Sequence, residues 1–321
     1  MVMFILQPPN PFSCARNQEK AMSSVGGNPV LIQSRFGHKG NFELLVPSSS
    51  AGIVFMWRNN DANNLPWSSP FTFAQNVGHV DAITMIQSNF GSPGNLELIA
   101  RSGDKLNFFW RDSGPAFNWN GPAQIATGAA GNPVLVQSRF GHKGNFELLY
   151  PAANGGITFM WRNNDANNLP WSSPFTFAQN VGHVEAITMI QSNFGSPGNL
   201  ELIARSGDKL NFFWRDSGPA FNWNGPLRML VPSASLRAIH TPQGRFIHVD
   251  GAGFSENGDV KVAYDIFTNG GPTTHQTGEH ADRTDSSGTF DDDIKVNLSS
   301  VSGARVNVVD VNTQMHAEAS I

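Results

Sequence analysis

Along the first two-thirds of the chain, short apolar runs alternate with clusters of glycine, asparagine, serine and proline. The first four runs are VLIQSRF (Val30–Phe36), FELLVP (Phe42–Pro47), IVFMWR (Ile53–Arg58) and PFTFA (Pro70–Ala74). Between them stand GHKGN, SSSAG and NNDANNLPWSS, whose residues favour turns. None of the runs carries a 3.6-residue apolar period long enough for a helix, so each predicts a short strand.

The pattern repeats. Trp57–Val80 recurs unchanged at Trp161–Val184, and Ala82–Pro122 recurs unchanged at Ala186–Pro226, an offset of 104 residues. Each long unit contains two divergent halves: QSRFGHKGNFELL at Gln33–Leu45 matches QSNFGSPGNLELI at Gln87–Ile99. The basic unit is therefore roughly 50 residues long and occurs four times, a period that suits propeller blades of four short antiparallel strands. The predicted blades span residues 27–78, 79–130, 131–182 and 183–231, after an N-terminal segment 1–26. A lone blade leaves both sheet faces bare, so neighbouring blades must pack on one another.

From about residue 233 the text changes to alternating strands and turns without the repeat, which predicts a separate β-sandwich over 233–321. VDGAGFSENGDVKVAY (Val249–Tyr264) resembles the opening of bacterial Ig-like modules, and SSGTFDDDIKV (Ser286–Val296) resembles their central segment.

Composition narrows the functions. Charged residues make up 14% of the 321 residues and the net charge is -4, a poor match for nucleic acid. Cys14 is the only cysteine, so no intrachain disulfide and no multi-thiolate zinc site can form. No apolar run is long enough to span a bilayer as a helix, so no membrane insertion is expected. The N-terminus lacks a basic n-region and an adequate apolar core, so no signal peptide is expected; a cytoplasmic or non-classically secreted protein fits.

All eight tryptophans fall in the repeats, two per unit. A sugar offers an apolar C–H face that stacks on an aromatic ring, and hydroxyls that want fixed polar groups. Trp57, Arg58 and Asp61, with their copies Trp161, Arg162 and Asp165, supply both, as do Trp110-Arg111-Asp112 and Trp214-Arg215-Asp216. The same residues also suit a structural role, with tryptophan wedged between blades and the Arg–Asp pair locking a turn. A second tier is Arg35 and Glu43 with their copies Arg139 and Glu147, which face a pocket or else support the hairpin. No metal site or cofactor is expected: the repeated histidines lack ligand spacing, and Asp291–Asp293 reads as a solvated turn.

The blade text GNPVLIQSRFGHKGNFELLVP, FMWRNNDANNLPW and AITMIQSNFGSPGNLELIARSGDKLNFFWRDSGPAFNWNGP resembles bacterial propeller lectins of the Photorhabdus type, over residues 27–226. The resemblance implies a ring of blades with repeated sugar sites, fucose-type among them. Those lectins close seven blades, whereas this chain holds four, so it either forms a small ring or exposes end faces that drive self-association into a homo-oligomer. No sialidase box, G-x-S-x-G elbow, H-E-x-x-H or phosphate loop is present, and a catalytic residue is rarely duplicated. The sequence reading is therefore a multivalent, non-catalytic glycan-binding protein, with a protein-interaction scaffold as its rival.

Overall fold

The computed structural model describes residues 25–114, 116–268, 274–298 and 300–321. Cys14 and most of the 1–26 segment lie outside them. The described chain is all-β; its only helical turns are single 3-10 turns at Gln75–Val77 and Gln179–Val181. It divides into two compact units, Met1–Leu227 and Arg228–Ile321.

The first unit holds four sheets of four strands, each an antiparallel meander in chain order. The first contains β1 (Val30–Gln33), β2 (Phe42–Pro47), β3 (Ile53–Arg58) and β4 (Phe71–Phe73). The second contains β5 (Ala82–Gln87), β6 (Leu96–Ser102), β7 (Lys105–Arg111) and β8 (Trp119–Ala126). The third contains β9 (Val134–Gln137), β10 (Phe146–Pro151), β11 (Ile157–Arg162) and β12 (Phe175–Phe177). The fourth contains β13 (Ala186–Gln191), β14 (Leu200–Ser206), β15 (Lys209–Arg215) and β16 (Trp223–Met229). First strands neighbour one another, β1 beside β5, β5 beside β9 and β9 beside β13, an arrangement consistent with β-propeller blades.

Period-2 alternation makes this stacking possible, because adjacent residues on a strand face opposite sides of the sheet. In the second sheet Leu98 and Phe109 join Leu45, Ile53 and Phe55 of the first. Their chain neighbours Ile99 and Phe108 instead join Leu135, Phe146 and Leu148 of the third. In the third sheet Leu149 turns the other way, to Leu200, Leu202 and Phe213 of the fourth. Three apolar clusters thus link consecutive sheets, and among the described residues no cluster links the fourth sheet to the first. Each fully buried leucine or phenylalanine stabilises by roughly 1.5–3 kcal/mol.

The turn between the first two strands depends on Gly40, whose φ of 74° is left-handed. A Cβ there would collide with the Ser34 carbonyl. Gly144 repeats this in the third sheet, at φ 73°.

The second unit has two sheets around one core. Its strands are β17 (Ser233–Thr241), β18 (Gly244–Ala252), β19 (Asp259–Thr268), β20 (Thr274–Arg283), β21 (Phe290–Lys295), β22 (Gly303–Asp310) and β23 (His316–Ser320). One sheet is ordered β17-β18-β21 and the other β20-β19-β22-β23. Ile247, Val249, Phe290 and Ile294 of the first pack with Val260, Val262, Ile266, Val306 and Val308 of the second. Asp291–Asp293, expected at a turn, lies on β21, where alternation fixes which carboxylates find partners. Asp293 Oδ1 accepts from His248 Nδ1 at 2.6 Å, and Asp292 meets His280.

Candidate functional site

A Trp-Arg dipeptide ends the third strand of each sheet of the first unit. Alternation sends its two side chains to opposite faces, so they serve different boundaries. Trp57 packs into the cluster shared by the first and second sheets. There it shares an open groove of about 560 Å³ with Arg111 of the second sheet, together with Phe71, Asn118, Trp119 and Asn120. At the next boundary Trp110 and Arg162 line a groove of about 340 Å³ with Phe90, Glu97, Asn168 and Trp171. At the third, Trp161 packs into the cluster of the third and fourth sheets, and Arg215 lies over Phe159 of the third. The structure therefore joins Trp57 with Arg111, Trp110 with Arg162, and places Trp161 and Arg215 at one boundary. Arg58 and Trp214 stand at the two ends of this series.

Each arginine lies over aromatic rings. Arg111 lies 5.0 Å from the Phe55 centroid and 4.8 Å from Phe117. Arg162 lies 3.9 Å from Phe146 and 5.1 Å from both Phe90 and Phe108. Such cation–π contacts are strongest when desolvated. Arg162 also donates from Nε to Asn164 Oδ1 at 2.7 Å, and Asn164 Nδ2 donates to the Gly144 carbonyl at 2.6 Å.

Three arginines of the series each feel a glutamate of the preceding sheet: Arg111 with Glu43, Arg162 with Glu97, Arg215 with Glu147. These glutamates are buried and each accepts from a serine hydroxyl: Ser34 at 2.8 Å, Ser88 at 2.7 Å and Ser138 at 2.9 Å. Burial pushes Glu43 up from the ordinary carboxylate value, and pushes Glu97 and Glu147 up to about 7, against the opposing pull of arginine and serine. Burial also lowers Arg162 to about 10. The Oε2 atoms of Glu43 and Glu147 are buried without a hydrogen-bond partner, which suits the neutral carboxyl.

The aspartates are committed elsewhere. Asp61 accepts backbone N–H groups of His38 at 2.6 Å and Lys39 at 2.8 Å, which lowers its pKa. Asp165 does the same with His142 and Lys143. Asp112 accepts from Asn120 Nδ2 at 2.8 Å, and Asp216 from Asn224 Nδ2 at 2.9 Å. Arg35 donates to the Pro93 carbonyl at 2.8 Å and to the Ser88 carbonyl, tying the first sheet to the second. Arg139 repeats this with Pro197 and Ser192. Of the second tier, then, the arginines hold neighbouring backbones and Glu43 and Glu147 lie buried beneath the boundaries.

Phe71, Phe90, Asn118 and Asn168 also line the grooves, although they stand outside the Trp-Arg-Asp motif. Phe71 and its copy Phe175 are 56% and 57% exposed. Their signal was available as aromatic residues in strands too short to bury both faces.

No protein-family model matches this chain, and no curated protein matches it. Among solved structures, a triple Arg-to-Ala mutant of AofleA from Arthrobotrys oligospora is similar at 12% identity, covering 93% of this chain and 84% of its own, with a TM-score of 0.46. At that score the likeness decides neither fold nor function. No group of metal-ligating side chains occurs among the described residues, and no helix there is long and apolar enough to cross a membrane.

Proposed function

We propose that the chain is a non-catalytic carbohydrate-binding protein, its first unit a set of β-propeller blades and its second an Ig-like sandwich. The observation that carries this reading is the groove lined together by Trp110, Trp171, Asn168, Glu97 and Arg162. Trp110 stacks on Phe108 with centroids 5.7 Å apart and is half-buried where it lines the groove, the kind of aromatic surface on which the C–H face of a pyranose packs. Exposed Asn168 offers both a donor and an acceptor to ring hydroxyls. The groove of Trp57 and Arg111 repeats the chemistry with Asn118 and Asn120, so one chain offers linked sites. Individual sites of this kind bind at about 4–8 kcal/mol, millimolar to micromolar, and multivalency raises the affinity for a glycan-covered surface. Fucose-type glycans are the first ligands to test.

Trp57→Ala, Trp110→Ala and Trp161→Ala combined are expected to lower free-sugar binding by at least about tenfold, read by calorimetry. Binding to a fucosylated surface should fall further, because avidity multiplies the loss. A folded triple variant that binds both as well as the parent makes these tryptophans structural. A parent silent on a glycan array favours the protein-interaction scaffold instead.

A further inference from the structure

The 104-residue period has a consequence at the ends of the first unit. The boundary between the second and third sheets is built from Ile86, Phe90, Phe108 and Trp110 on one side, and from Leu135, Phe146, Arg162 and Trp171 on the other. One period on, the first set recurs on the fourth sheet as Ile190, Phe194, Phe212 and Trp214. One period back, the second set recurs on the first sheet as Leu31, Phe42, Arg58 and Trp67. The fourth and first sheets thus carry the two halves of an interface that the chain already forms internally.

These halves are uncovered. Leu135 is 3% exposed but Leu31 is 55% exposed. Ile190 and Phe194 are 62% and 73% exposed, while Ile86 and Phe90 are half-buried. Arg162 sits among three phenylalanine rings, two of them on the second sheet; its copy Arg58 keeps the ring of its own sheet, Phe42, at 4.1 Å. The internal boundary also carries a bond from the Asn89 backbone N–H to Gln137 Oε1 at 2.9 Å, and Asn193 and Gln33 repeat that donor and acceptor. In the Arg–Glu series, Glu201 is the glutamate of the fourth sheet and Arg58 the arginine of the first. Glu201 is already oriented by Ser192 at 2.8 Å, as its copies are.

We propose that a second copy of this chain docks head to tail, its first sheet on the fourth sheet of the first copy, bringing its Arg58 and Trp67 against Glu201, Phe212 and Trp214. Exposed apolar faces of this kind mark interaction surfaces, and here the complementary face is encoded in the same chain. A head-to-tail contact closes into a ring when its rotation permits. Two copies joined at both ends supply eight sheets, within the range in which blades close. The docking also completes a fourth groove in trans, with Leu227 where the second sheet has Ala123, so this groove is narrower. That the groove takes a sugar rests on the reading above; the docking itself does not.

The full chain, without sugar, should show by light scattering or sedimentation the mass of two copies rather than 34.8 kDa. Ile190→Glu and Leu31→Glu change side chains that are exposed in the single chain, so both variants should keep the parent's circular-dichroism spectrum and become monomers. Mixing them should restore a two-copy species, because one supplies an intact first sheet and the other an intact fourth. Arg58→Glu should weaken assembly, because its copy Arg162 sits over phenylalanine rings of both sheets at the internal boundary. A parent that remains a monomer up to about 100 μM, or variants that keep the parent's mass, overturns the proposal. Since mass is read without sugar, a failure of glycan binding leaves this test untouched.

Discussion

Trp119→Ala is expected to destabilise the first unit by about 3 kcal/mol or more, the scale for deleting a large aromatic from a core. Trp119 stacks on Phe73 with centroids 4.3 Å apart and meets Phe55 edge-on at 5.6 Å. Phe73 in turn meets Phe109 edge-on at 6.0 Å. Two of these rings come from strands of the first sheet and two from strands of the second, so their loss separates two sheets rather than hollowing one. Trp223 repeats the stack on Phe177 at 4.4 Å. The indole Nε1 of both tryptophans is buried without an acceptor. An unmade hydrogen bond of that kind opposes folding. Trp119→Phe, which keeps a stacked ring and drops the donor, should therefore stay within about 1.5 kcal/mol of the parent. Urea unfolding of the three proteins checks both statements, and an alanine variant as stable as the parent removes this quartet from the account of the boundary.

The second large effect is on pH dependence. Glu97 and Glu147 have folded-state values of about 7, raised from 4.5 chiefly by burial. A raised carboxyl means that the folded chain holds a proton the unfolded chain has released. Below about pH 4.5 both states are protonated and there is no penalty; as pH rises towards 7 the fold loses stability, and above 7 the loss is complete. The shift corresponds to about 3 kcal/mol per group at most. Glu97→Gln with Glu147→Gln removes the ionisation while keeping a similar shape. The variant should match the parent near pH 4.5 and melt higher than the parent at pH 8, with a flatter profile between. If instead it melts lower at pH 8, both carboxylates are ionised there and paired with Arg162 and Arg215, and the neutral-carboxyl account fails.

Much of the architecture was written in the local pattern. The expected runs Phe42–Pro47 and Ile53–Arg58 are strands with those same bounds, because alternation and turn residues agree there. The run Val30–Phe36 shortens to Val30–Gln33, since Ser34 is diverted to Glu43 and the chain bends into the glycine turn. The site was less legible. Trp, Arg and Asp are adjacent in sequence and were grouped as one constellation, but a strand separates neighbours onto opposite faces. Trp57 found Arg111, more than fifty positions away, because the partner comes from the next repeat. The aspartates were diverted by unpaired backbone N–H groups in the tight turns, a demand that a motif does not display. The burial of Glu43 and Glu147 likewise follows from the stacking of sheets and not from their immediate neighbours.

The sharing of each groove between successive repeats bears on how such a chain can change length. A crossover between misaligned copies adds or deletes whole units, and the junction it creates joins a first half-groove to a second half-groove whatever the point of exchange. Gain or loss of a unit therefore alters the number of grooves without demanding any new complementary surface. A substitution behaves differently: a change in an inner dipeptide, Trp110-Arg111 or Trp161-Arg162, touches two boundaries at once, one on each flank. Under that double penalty the dipeptides should diverge more slowly than the loops between them, while the count of repeats drifts freely.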